Sequence, residues 1–298
     1  MKKYRKLLYF VLGLILVFVY CIGCHIDFIA NRLIFHPDKD PIEDWDVVDD
    51  SVVYKSSKEV RFQNSRQQTL VGRYFDYTKI SSGDTARGSI LYCHGNGGNI
   101  SYLTDWAFQL SRNLRCNVLF FDYAGYGASE GEPTASGILD DGRAARNWLA
   151  EHDGIPNDDV IVYGQSLGGS VAVDIAAKDG ARALIVESSF TSLVDMGQLI
   201  LPFLPARWLL REQLASVDKI SQFHNPVFIS HGHADQTIPF SQGQHLFNAA
   251  NEPKTFYVPP SGYDYHSAPH CKEHRQQLRT LIDSLQKNSG KEDQDAVK

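Results

Sequence analysis

From residue 89 onward the apolar positions follow two alternating rhythms. Short unbroken runs, Ser89-Ile-Leu-Tyr-Cys93, Asn117-Val-Leu-Phe-Phe121, Val160-Ile-Val-Tyr163, Ala183-Leu-Ile-Val186 and Val227-Phe-Ile-Ser230, have the length and β-branched or aromatic content of buried strands. Longer stretches with apolar residues three or four apart lie between them, at Tyr102 to Leu114, Gly137 to Glu151 and Leu167 to Ala177. A last strand, Thr255 to Val258, is followed by a helix from Lys272 to Leu285. Strands without alternation are buried on both faces, so the pattern predicts an α/β fold with a mostly parallel central sheet flanked by helices. Glu59 to Phe62 and Leu70 to Phe75 alternate more, which predicts antiparallel strands at one edge.

The rhythm breaks between Leu199 and Phe223. Leu201-Pro-Phe-Leu-Pro205, then Trp208, Leu209 and Leu210, read as a small apolar insertion, placed where a lid would cover the ends of the strands. The chain divides into an N-terminal segment 1–27, one domain over 28–286 with the insertion at about 199–223, and a polar tail 287–298 expected to be disordered.

The N-terminal segment is the clearest targeting signal. Lys2, Lys3, Arg5 and Lys6 precede an uncharged run from Leu7 to Cys24, about 18 residues or roughly 27 Å as a helix, close to the hydrocarbon thickness of a bilayer. An uncleaved single-pass membrane anchor is expected, with the basic end cytoplasmic and the rest of the chain on the extracytoplasmic face. Ile22-Gly-Cys24 leaves a lipoprotein attached through Cys24 as an alternative, and Cys21-Ile-Gly23 leaves cleavage and secretion as another.

Charge narrows the partners. A formal net charge of -6 and the lack of a basic stripe with interleaved aromatics argue against nucleic acid. Of five cysteines, Cys93, Cys116 and Cys271 lie beyond the N-terminal run, so at least one is unpaired within the chain and no disulfide framework is indicated.

The chemistry concentrates at strand ends, where α/β sheets bind ligands. Gly164-Gln-Ser166-Leu-Gly168 has the form G-x-S-x-G directly after a strand and before a helix, the context in which small neighbours allow a serine to sit on a sharp turn with its hydroxyl exposed. A serine hydroxyl needs a base to take its proton and a carboxylate to orient that base, in the chain order Ser, acid, His on this architecture. His231-Gly-His-Ala-Asp235 follows a late strand, and His266 lies in the loop after the last one, which assigns Ser166, Asp235 and His266 as the catalytic set. The glycine-rich Tyr92-Cys-His-Gly-Asn-Gly-Gly-Asn99 lets backbone N–H groups approach an oxyanion, and the N–H groups of Asn96 and Leu167 are the candidates.

Rivals are Glu187 and Asp195 for the acid, and His270 and His274 for the base. His270, Cys271 and His274, near His266, also raise a zinc reading, but no acidic general base stands between the histidines as in H-E-x-x-H. No metal is assigned. The glycines after Tyr92 lack the following Gly-Lys-Ser/Thr of a phosphate loop, and no cofactor is expected.

Taken together, His94-Gly-Asn-Gly-Gly-Asn99, Phe121-Asp-Tyr-Ala-Gly-Tyr-Gly-Ala-Ser129, Gly164-Gln-Ser-Leu-Gly-Gly169, Glu187-Ser-Ser-Phe-Thr-Ser192 and His231-Gly-His-Ala-Asp235 resemble the α/β-hydrolase superfamily. Within it the chain is similar to the membrane-anchored Bem46-like group that includes the α/β-hydrolase-domain 12, 13 and 17 proteins. The resemblance spans about residues 28 to 285 and implies Ser166, Asp235 and His266 as the triad, with Asn96 and Leu167 as oxyanion donors. It implies structural roles for Asp122 and for Gly125 to Ser129, and its segment like Arg32-Leu-Ile-Phe-His-Pro37 favours the uncleaved anchor.

The expected activity is that of a cofactor-independent serine hydrolase, cleaving an acyl ester or thioester of a small, lipid-like or lipidated-protein substrate through an acyl-serine intermediate. A peptidase of the same fold uses identical parts and is the alternative. A non-catalytic membrane-anchored binding protein would require a missing triad member.

Overall fold

The computed structural model describes residues 31–40, 55–81, 83–200, 202–203, 210, 214–260 and 271–295, the last nine of these by backbone alone. The runs read as strands form one eight-stranded sheet in the order β10-β9-β8-β7-β4-β6-β3-β2. Its parallel part comprises β4 (Ser89–Cys93), β6 (Asn117–Phe121), β7 (Ile161–Gln165), β8 (Ala183–Glu187), β9 (Val227–Ser230) and β10 (Lys254–Tyr257). β3 (Thr69–Phe75) pairs antiparallel with β6, and β2 (Ser57–Gln63) antiparallel with β3 at the edge. A two-residue pair, β1 (His36–Pro37) on β5 (Gly97–Gly98), stands apart from the main sheet.

The unbroken apolar runs are explained by burial on both faces. Leu91, Leu119, Val162, Leu184 and Ile229 point into one core, while Ile90, Tyr92, Phe120, Tyr163, Ile185 and Phe228 point into a second on the other side. α3 (Ala135–Asp153) and α4 (Leu167–Asp179) cover the first face; α2 (Thr104–Leu114) and α7 (Lys272–Asp295) cover the second. The remaining helices are α1 (Tyr77–Ile80), α5 (Leu193–Ile200) and α6 (Phe240–Ala249). α3 begins two residues before the position the apolar spacing marks, because the Thr134 hydroxyl accepts the N–H of Gly137 and caps it; Gly154, at φ 66°, ends it.

The edge strand β2 carries an outward charged row. Val60 and Phe62 are buried, while Lys58, Glu59 and Arg61 are exposed, with Arg61 and Glu59 paired at 2.8 Å.

Two expectations meet a different arrangement. The helix α7 runs to Asp295 rather than ending near Leu285, into the stretch expected as a tail; no proline between Lys287 and Asp295 stops it. In the insertion, Leu214, Ile220 and Phe223 are buried in the first core, so its second half is core rather than cover. Of its first half, Phe203 is fully exposed, and Leu201, Leu204, Trp208 and Leu209 lie outside the described residues. The run Leu7 to Cys24 also lies outside them; among the described residues no helix is long and apolar enough to cross a membrane.

Candidate active site

Ser166 occupies the single residue between β7 and α4, at φ 53° and ψ -118°. A non-glycine residue at positive φ is held by its surroundings against intrinsic preference. Three contacts hold this one: its N–H donates to the Glu187 carbonyl (2.9 Å), and its carbonyl accepts the Gly169 N–H (3.0 Å) and the Ser189 hydroxyl (2.8 Å). The glycines around it are required by close packing. A Cβ on Gly164 would strike the Gly168 backbone, and one on Gly168 would strike the carbonyls of Cys93 and His94. The helix thus starts hard against the end of the central strand β4, and the serine is forced to the top of the turn.

That turn opens into a cleft of about 510 Å³ lined by Ser166, Asn96, Gly97, Gly98, Tyr102 and Asp235, among others. Asp235 follows β9 and is buried. Its Oδ1 accepts the N–H groups of Thr237 and Ile238, both at 2.9 Å. Burial alone would raise its pKa, but His231 and these two N–H groups outweigh that and hold the carboxyl below its ordinary range. The Nε2 of His231 donates to the Ile238 carbonyl (2.9 Å) and lies 3.5 Å from Asp235 Oδ2, too far and too committed to satisfy it. Oδ2 is therefore a buried acceptor with no hydrogen-bond partner among the described residues. β8 separates β9 from β7, and adjacent strands lie about 4.8 Å apart, so the two loops carrying Asp235 and Ser166 leave the sheet about 10 Å apart.

Asn96 lies in the loop after β4. Its side chain binds Ile34 and His36 in the connector that leads from the N-terminal segment into the domain, while its backbone N–H makes no hydrogen bond among the described residues. Leu167 is the first residue of α4, where the leading N–H groups have no intrahelical acceptor. Gly95 sits beside the serine, with space at its Cβ position reaching Ser166 Cβ at 3.5 Å.

His266 and His270 fall outside the described residues. Of the other rivals, Glu187 and His274 meet each other, and Asp195 is engaged elsewhere. His274 Nε2 lies 2.5 Å from Glu187 Oε1, both side chains buried, and Asp195 accepts the Thr191 hydroxyl at 2.5 Å. Cys271 is buried and donates to Glu273 (3.2 Å). Among the described residues no group of three His, Cys, Asp or Glu side chains is placed to hold a metal ion. Cys93, Cys116 and Cys271 are all free and buried.

Under the cleft floor, His94 Nε2 lies 3.7 Å from Asp122 Oδ1, and both are buried. The His94 Nδ1–H donates to the Gly95 carbonyl (2.7 Å), and Asp122 Oδ1 accepts the Ile100 N–H (2.9 Å). Burial lowers His94 to about 4, against a smaller upward pull from the Gly95 carbonyl. Burial likewise raises Asp122 to about 7, opposed by the Ile100 N–H. Both groups are thus neutral in mildly acidic solution, consistent with a structural role for Asp122 at the turn 125–129.

Comparison with other proteins gives the same architecture. Residues 90–280 match the sequence model of the alpha/beta hydrolase family. An uncharacterized protein of Mycobacterium tuberculosis is 34% identical over 230 residues, 77% of this chain and 78% of that one. The alpha/beta hydrolase domain-containing protein 17B of Homo sapiens is 30% identical over 212 residues, 71% of this chain and 72% of its own. Among solved structures, the Pyrococcus furiosus esterase Pf2001 superimposes with a TM-score of 0.63 at 16% identity, over 84% of this chain and 99% of that one. Est1E from Butyrivibrio proteoclasticus, solved with ferulic acid bound, gives 0.63 at 17% identity over 76% and 98%. At such identities the two structures speak to fold alone.

Proposed function

The chain belongs to the alpha/beta hydrolase family, and from that premise we propose that it is a serine hydrolase cleaving an acyl ester or thioester. The observation that carries the reading is the pairing, across one cleft, of a serine on a strained turn with a buried carboxylate whose outer oxygen has no partner. A gap of about 10 Å between their loops suits one imidazole with a hydrogen bond on either side, the role given to His266.

In this mechanism Ser166 Oγ attacks the acyl carbon while His266 takes its proton. Asp235 Oδ2 accepts the other ring N–H and fixes the tautomer. The carbonyl oxygen, now negative, accepts the backbone N–H groups of Asn96 and Leu167. Collapse expels the alcohol or thiol, which takes the proton from His266, and water repeats the sequence on the acyl-serine, returning a carboxylic acid and free Ser166. No cofactor is required.

The substrate class is proposed as lipid-like or acylated. Leu199, Ile200 and Phe203 expose large apolar side chains at the start of the insertion, which supports an apolar acyl group. The uncharged run Leu7 to Cys24 supports a single-pass anchor that holds the domain beside a bilayer on its extracytoplasmic face, where lipids and lipidated proteins are concentrated. A fluorophosphonate probe tests the core of the proposal. Covalent labelling of the parent that is lost in Ser166→Ala is expected, and equal labelling of both overturns it.

A further inference from the structure

The side chain of Asn96 is fully occupied, chiefly by partners about 60 residues upstream. Its Oδ1 accepts the His36 N–H (3.2 Å) and the Tyr126 hydroxyl (2.8 Å), and its Nδ2 donates to the Ile34 carbonyl (2.5 Å) and faces His36 Nδ1 (3.1 Å). All of its amide hydrogen-bonding capacity is taken up by these partners, while the backbone N–H of the same residue, in the cleft lining, has no hydrogen-bond partner among the described residues.

The rest of the connector reinforces that hold. β1 lies parallel on β5, with His36 opposite Gly97 and Pro37 opposite Gly98. The Asp38 carbonyl accepts from Gly127 N–H (2.8 Å) and Asn99 Nδ2 (3.2 Å), the Asp40 carbonyl accepts Asn99 Nδ2 (2.9 Å), and the Tyr102 hydroxyl donates to Asp38 Oδ2 (3.0 Å). Phe35 is buried in the first core and secures the segment at its N-terminal end. Residues 34–40 therefore touch the loop 96–102 along its length.

A loop with Gly95, Gly97 and Gly98 has large conformational freedom, and Gly98 uses it at φ 74°. An oxyanion donor works only within a few tenths of an ångström of its position. Something outside the loop must supply the rigidity, and the connector, together with Tyr126 and Asp122, is what the loop binds. It lies wholly before residue 90, where the match to the family model begins.

We propose that residues 34–40 form a clasp that positions the Asn96 N–H, so that the chain linking the N-terminal segment to the domain is a working part of the active site. The mechanistic side rests on the serine-hydrolase reading above; the structural side does not. Asn96 acts here through its side chain as a positioning residue for its own main-chain donor.

The test uses the full chain. Asn96→Ala keeps the backbone N–H but removes the side-chain hold, and Phe35→Ala loosens the connector from a position that does not line the cleft. In each, kcat on a p-nitrophenyl ester is expected to fall roughly 10- to 100-fold with KM within about threefold, and a trifluoromethyl ketone, which mimics the tetrahedral state, to bind weaker by a similar factor. Should Asn96→Ala fail to fold, Tyr126→Phe, which removes one donor to Oδ1, carries the same comparison on a smaller scale. Amide hydrogen exchange over Gly95 to Asn99 reads the clasp without turnover, and is expected to accelerate at least tenfold. Unchanged exchange overturns the clasp even if esters are hydrolysed. Faster exchange with unchanged kcat and ketone affinity overturns its mechanistic role. A parent that neither hydrolyses esters nor binds the ketone refutes the serine-hydrolase reading instead, and exchange still decides the clasp.

Discussion

Glu187 ties the serine turn to α7 by different atoms: its backbone carbonyl accepts the N–H of Ser166 at 2.9 Å, and its carboxylate lies 2.5 Å from His274, in the first turn of α7. The carboxylate and the imidazole are each other's neighbours inside the second core, with Phe228 and Tyr257 packed on the ring. Removing one member of such a buried pair strands the other. We expect Glu187→Gln and His274→Ala each to destabilise the fold by about 3–5 kcal/mol, seen in urea unfolding, while the folded fraction keeps kcat within a few-fold. A stable but inactive His274→Ala would instead make His274 the base.

The unpartnered Oδ2 of Asp235 leads to a second expectation. Asp235→Asn should lower kcat by about 10⁴, since the amide would favour the wrong imidazole tautomer. His266→Ala should lose at least as much, and His270→Ala little. Steady-state rates for the three variants assign the base; activity retained in His266→Ala with loss in His270→Ala would move it to His270.

Burial of His94 and Asp122 sets a pH dependence of stability. Between about pH 4 and 7 the folded chain keeps a proton on Asp122 that the unfolded chain has lost, so this group makes stability fall as pH rises. Between about pH 4 and 6.5 the unfolded chain protonates His94 and the folded chain does not, so that group makes stability rise with pH. The two offset each other across the shared window. Asp122→Asn removes the falling branch, and its unfolding free energy should gain on the parent from pH 4 to 7, by up to about 1.4 kcal/mol per pH unit. Parallel profiles from denaturant titrations would contradict these protonation states.

Apolar side chains exposed at Leu199, Ile200 and Phe203 predict acyl-chain selectivity. Over short to medium p-nitrophenyl esters, kcat/KM should rise with chain length, by no more than about fourfold per methylene, the equivalent of about 0.8 kcal/mol. Peptide anilides should be poorer substrates. A flat profile with efficient anilide cleavage would favour a peptidase.

Much of the fold is legible in the sequence, because β4, β6 and β9 are apolar runs closed by turn residues and their limits coincide with the observed strands. The elbow at Ser166 and the loop of Asp235 are legible for the same reason, since chain order after a strand fixes which end of the sheet a residue reaches. What escapes is anything that depends on two distant segments meeting. Glu187 and His274 read as separate candidates for chemistry because only the assembled sheet and α7 make them a pair. The burden on Asn96 is equally hidden, as no periodicity links it to Ile34 and His36.

The charged outer row of β2 bears on how copies of the chain behave together. A bare sheet edge offers unpaired N–H and carbonyl groups to any extended segment, and a flat apolar edge would let neighbouring molecules stack strand on strand. Lys58, Glu59 and Arg61 make that addition unfavourable, because a strand laid against this edge would have to strip water from their charges. Protection against strand-on-strand stacking is thus built into an edge strand that lends no residue to the cleft, so it can be kept without cost to the site.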